Sequence, residues 1–139
     1  MLVLLDTNVF ISALLTGYGP PARIVDEWRD RRFHLLTCQA QIDELRKTSR
    51  APKFSNRLQP HLIGTMVNHL YGAVIWPEPI PRKHEAADPT DSYLLDLIEV
   101  AQPDYAVTGD KRAGLLQLDT LGRTKFMTAK AFCERVLGH

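Results

Sequence analysis

With 139 residues, 45% apolar and 24% charged, the chain has the make-up of one globular domain spanning 1–139, which excludes disordered and fibrous classes. A chain of this length buries about 68% of the surface its unfolded form exposes, and no apolar run approaches the ~18 residues a membrane span needs. The formal net charge of +1 hides an uneven distribution, because no Asp or Glu lies between Leu45 and Pro77 while Arg46, Lys47, Arg50, Lys53 and Arg57 crowd the start of that stretch.

Leu2 to Leu5 is a short, continuous apolar run, the pattern of a strand buried on both faces in a parallel sheet. It meets a carboxylate, Asp6, almost at once and no basic stretch precedes it, so a signal peptide is not expected and the cytoplasm is the default location. "TNVFISALL" reads as a helix that Thr7 or Asn8 can cap. "TGYGPP" breaks the chain, and Pro20 and Pro21 suit the first turn of a second helix, "ARIVDEWRDRR".

"FHLLT" is expected as the second strand and "QAQIDELRKTS" as the helix after it. A loop over 51–56 leads to a helix over about 58–71, whose Leu62, Ile63, Met66 and Leu70 fit one face. "AVIW", "DYAVT" and "KFMT" complete five strands; "TDSYLLDLIEVAQ" and "AKAFCERVL" are the remaining helices, the last capped by Thr128. Strands alternating with helices imply right-handed βαβ units: an α/β chain folded as a three-layer α/β/α sandwich around a central, mainly parallel five-stranded sheet. Cys38 and Cys133 have no paired spacing and are read as packing residues, and Trp28 and Trp76 as residues of the core or its edge.

Ligands of such sheets sit beyond the carboxyl ends of the strands. Asp6 ends strand one and Asp110 follows strand four, so the topology sends both to one edge. Asp91 begins a helix that starts near that edge, and Glu44 lies on the helix after strand two beside the inward-facing Ile42 and Leu45. Asp88, three residues before Asp91, is an outer candidate, as are Asn8 and Thr108. Clustered carboxylates raise one another's pKa, and a hard divalent cation, Mg²⁺ or Mn²⁺, resolves the conflict. Such an ion assists phosphodiester hydrolysis. The basic residues Arg46, Lys47, Arg50 and Lys53, with Lys111 and Arg112 beside the proposed site, are candidates for RNA-phosphate contact. The histidines show no metal-ligand spacing.

"LLDTNVFISALL", "CQAQIDELRKTSRAPKF", "DPTDSYLLDLIEVAQPDYAVTGDKR" and "FMTAKAF" together resemble the PIN domain, in particular its bacterial toxin-type branch, over nearly the whole chain. The resemblance implies that Asp6, Glu44, Asp91 and Asp110 are catalytic metal ligands. It also implies Mg²⁺- or Mn²⁺-dependent endoribonuclease activity, an antitoxin protein as partner, and a homodimer. One departure stands out: in "TGDKRAGLL" Arg112 occupies the place of a further acid, and two residues look inserted before Leu115 and Leu116. That favours one firmly bound ion, a second arriving with substrate.

Other acid-at-strand-end enzymes fit less well. A haloacid-dehalogenase-type phosphatase needs an acid two residues after Asp6, and that residue is Asn8. A receiver-type signalling domain needs a phosphorylated Asp after a central strand and a late-strand Lys, and neither pattern is clear. The rival from another class is a catalytically weak or silent module that binds RNA or an antitoxin, with Arg112 and the insertion spoiling the metal site.

Overall fold

The computed structural model describes residues 1–84, 89–109 and 120–138, with the backbone alone for 89–92. Among the described residues six strands form the sheet, β1 (Leu2–Leu5), β2 (His34–Cys38), β3 (Val74–Trp76), β4 (Tyr105–Thr108), β5 (Thr120–Leu121) and β6 (Thr124–Thr128). Their order is β3-β2-β1-β4-β6-β5. The first five in that row are parallel, as expected; β5 is an additional antiparallel edge strand, so the sheet is mixed and six-stranded rather than five-stranded. A two-residue strand leaves no periodicity to read. What makes it pair is the tight turn at Gly122, whose φ of 60° suits glycine.

Period-two alternation sends neighbouring strand residues to opposite layers. Val3, Leu5, Leu35 and Val107 enter one core, shared with α1 (Thr7–Thr16), α2 (Gly19–Arg29), α3 (Gln39–Ser49) and α5 (Pro60–Leu70). The closing helix α7 (Ala129–Arg135) adds Phe132 and Cys133 to it. Leu4, Leu36, Ala106 and Phe126 enter the other core, against α6 (Pro89–Ala101) through Leu94, Leu97 and Ile98. The result is the anticipated three-layer sandwich. Both cysteines are free and buried in these cores, and burial raises both thiol pKa values, which suits packing rather than ligation.

Several local expectations need correction. Residues 51–56 contain one turn of helix, α4 (Pro52–Ser55), started by Pro52. The second helix begins at Gly19, with both prolines in its first turn, and stops at Arg29, because Arg31 takes a left-handed φ of 62° that turns the chain towards β2. In α5 the buried residues are Met66, Val67 and Leu70, and Leu62 faces solvent. The tryptophans need no correction, since Trp28 packs edge-on against Phe10 in one core and Trp76 joins the α6 core, as expected.

β1 lies at the centre, paired with β2 on one side and β4 on the other. The strand order reverses at this point, running outward through β2 and β3 on one side and β4 and β6 on the other, and such a switch point is where ligands of parallel sheets bind beyond the strand ends. The amide of Asp6 donates to the carbonyl of Val107 at 2.8 Å, so the carboxyl ends of β1 and β4 are in register.

Candidate metal centre

Asp6 is 2% exposed and caps α1, one carboxylate oxygen accepting from the backbone N–H of Asn8 at 3.3 Å. Asp6 itself is therefore the helix cap, in place of the expected Thr7 or Asn8. The reason is geometric: Asp6 keeps extended backbone angles while Thr7 is already helical, and a cap must be the last residue outside the helix. The cap fixes the carboxylate at the sheet edge, at the positive end of α1.

Glu44 reaches the same edge from α3. Its Oε2 accepts from the hydroxyl of Thr7, the residue after Asp6, at 3.2 Å, and from the hydroxyl of Tyr93 on α6. Thr7 belongs to a helix on one face of the sheet and Tyr93 to the helix on the other, so Glu44 ties the two outer layers together over the strand ends. Burial, and then the adjacent carboxylate, push the Tyr93 hydroxyl well above the usual tyrosine range. The shift favours its role as a donor to Glu44.

Gln41 sets the position of α3. Fully buried, it donates to the carbonyl of Leu5 at 2.6 Å and accepts from the hydroxyl of Thr37 at 2.6 Å. Leu5 directly precedes Asp6, so this one side chain locks the helix carrying Glu44 onto the strand carrying Asp6. Asp96, 5% exposed, accepts from the backbone N–H groups of Lys83 and His84 and pins the connection after β3 against α6. Sequence reasoning missed Tyr93, Gln41 and Asp96. The available signal was a polar residue at an inward position of an otherwise apolar helix face.

The expected residues are placed as follows. Asp6 and Glu44 come together through Thr7. Asp91 lies in the first turn of α6, its side chain outside the described residues. Asp88, Asp110, Lys111 and Arg112 lie outside the described residues altogether. Thr108 ends β4 beside Asp6 with its hydroxyl buried and without a hydrogen-bond partner among the described residues. The Asn8 side chain is exposed, and its backbone N–H serves Asp6. Among the described residues no three His, Cys, Asp or Glu side chains gather into a metal-holding group.

Arg46 and Arg50 do not share Glu44's flank. At 100° per residue they stand about 160° and 120° from it around α3. Contacts agree: Glu44 meets α1 and α6, whereas the Arg46 guanidinium lies 5.8 Å from the ring centre of Tyr71, just past α5. Lys53 lies over the ring of Phe54.

The donor chemistry suits a hard cation. Asp6 and Glu44 offer carboxylate oxygens, the unpartnered Thr108 hydroxyl adds an oxygen at the next strand end, and the nearby Cys38 thiol is kept protonated by burial.

A family model described as PIN domain matches residues 2–112. No curated protein and no solved structure matches the chain.

Proposed function

Because the chain belongs to the PIN-domain family, whose members are generally nucleases and typically use divalent metals, we propose that it is a metal-dependent endoribonuclease hydrolysing RNA phosphodiester bonds. The observation that carries the reading is the buried Asp6 carboxylate at the β1 end, one residue from the hydroxyl that binds Glu44. Asp6, Glu44, Asp91 and Asp110 would hold Mg²⁺ or Mn²⁺. Such an ion supplies Lewis acidity to the scissile phosphate and its attacking water.

The chain's own residues do the positioning. The helix cap ties the Asp6 carboxylate to the Asn8 amide, and Gln41 joins α3 to the strand end. Thr7 and Tyr93 aim Glu44 by donating to a single oxygen, a role that neutral donors perform without cancelling its charge. Burial raises the Tyr93 hydroxyl pKa, which suits a donor rather than a group that gives up its proton.

The role proposed for this activity is that of a toxin held in check by an antitoxin protein, acting as a homodimer in the cytoplasm. No helix among the described residues is long and apolar enough to cross a membrane. Purified chain is expected to cut RNA with Mg²⁺ or Mn²⁺ and to stop in excess EDTA; undiminished cleavage in EDTA would overturn the mechanism. Sequencing RNA ends from cells expressing wild type or Asp91→Asn identifies the target. Growth arrest by the wild type alone is the expected toxin phenotype.

A further inference from the structure

Away from the carboxylate edge, a cavity of about 580 Å³ opens between α3, α4 and α5, a size typical of small-molecule sites. Leu58, Ile63 and Val67 give it apolar walls, and Arg46 and Arg50 bring two cations to it. Neither arginine meets a carboxylate among the described residues, and neither α4 nor α5 contains an acid. The contact with Tyr71 orders the Arg46 side chain before any ligand arrives.

Gly64 is an independent observation. It sits in the middle of α5, where glycine weakens a helix through its backbone freedom. A Cβ at this position would meet nothing within 4 Å, so no packing contact requires the glycine. It does line the cavity, and its missing side chain keeps the space open. The chain accepts a weaker helix and gains a recess beside two arginines.

We propose that this cavity binds a nucleoside phosphate, the phosphate on Arg46 and Arg50 and the ribose or base against Leu58, Ile63 and Val67. Guanidinium groups match phosphate oxygens in paired hydrogen bonds. The Ser55 hydroxyl and Asn68 amide, also lining the cavity, supply the polar groups that orient a ligand. The choice of a nucleotide over other organic anions rests on the ribonuclease reading. The site lies across α3 from Glu44, so it holds a nucleotide remote from the bond being cut. Two sources share this chemistry: a distal unit of the RNA strand, or a free mononucleotide.

The test is calorimetric titration of the full chain, in EDTA, with a nucleoside 5′-monophosphate and with a short 2′-O-methyl RNA that resists cleavage. Gly64→Leu fills the cavity, Arg50→Ala removes one cation, and Gly64→Ala with the melting temperature of each variant controls for folding. Gly64→Leu and Arg50→Ala are each expected to weaken mononucleotide binding at least about tenfold while the protein stays folded. Equal weakening of the RNA identifies the strand as the source; unchanged RNA binding identifies the free nucleotide. Absence of mononucleotide binding in the wild type, or binding that neither variant alters, overturns the assignment, as does an acidic peptide that binds the cavity where nucleotides do not. Intact nucleotide binding in a protein that never cuts RNA would count against the ribonuclease reading alone, so the two failures are read separately.

Discussion

The central strand pair has an aspartate at each end, and the two are treated differently. At the amino end, Asp104 accepts from the backbone N–H of Leu2 at 2.8 Å and from the guanidinium of Arg123. Those two donors, the Leu2 amide first, hold its carboxyl below the usual carboxylate range. At the carboxyl end, Asp6 is more deeply buried and its edge is shared with Glu44, which two neutral hydroxyls hold. An acid matched to a cation closes the structure on itself. Asp6 and Glu44 converge instead on the edge where strand-end ligands bind, and the donors to Glu44 include the hydroxyls of Thr7 and Tyr93.

The contrast is broken most strongly by Asp6→Asn. Asparagine caps a helix as well as aspartate, so melting should change little, whereas RNA cleavage should fall at least about a hundredfold. Comparable activity in the two proteins would place the chemistry elsewhere. Tyr93→Phe sharpens the comparison by removing one neutral donor from Glu44. Loss of a group that orients a metal ligand typically weakens metal affinity about 10- to 100-fold, and the expected readout is a raised Mn²⁺ requirement with the KM for RNA unchanged. A drop in melting temperature without that change would reduce Tyr93 to packing.

Asp104→Asn, at the other end, should leave cleavage intact and cost about 0.5–1 kcal/mol of stability at neutral pH, since the site is partly solvated. Its pH dependence has a definite sign. A carboxyl whose pKa is lower in the folded state stabilises above its unfolded pKa, and that contribution fades as pH falls through the folded value. The gap between wild type and variant, followed by urea unfolding, should therefore close in acid. A constant gap would show that the charge is not what matters.

The difference between the two ends was partly legible in the sequence. Leu2–Leu5 as a doubly buried strand, Gln39–Ser49 as a helix and Thr128 as a cap follow from apolar continuity, 3.6-residue periodicity and local capping chemistry, all carried by neighbours in the chain. Asp6 and Glu44 were legible because parallel topology dictates where strand ends go. Gln41 and Tyr93 left only the signal of a polar group at an inward helix position, and their roles were not legible because each is defined by a partner far away in sequence, 36 and 49 residues respectively. The edge strand β5 escaped for the same reason: two residues acquire an identity only through pairing with β6. The basic residues after Glu44 look close to it along the chain, yet the helical turn carries Arg46 and Arg50 to the far flank.

Titration of purified chain with Mn²⁺, wild type beside Asp6→Asn and Glu44→Gln, tests the central claim most directly. Saturable binding by the wild type that either substitution sharply weakens, all three proteins remaining folded, is the predicted result. A wild type that takes up no divalent ion, or variants that bind it equally well, would contradict the account.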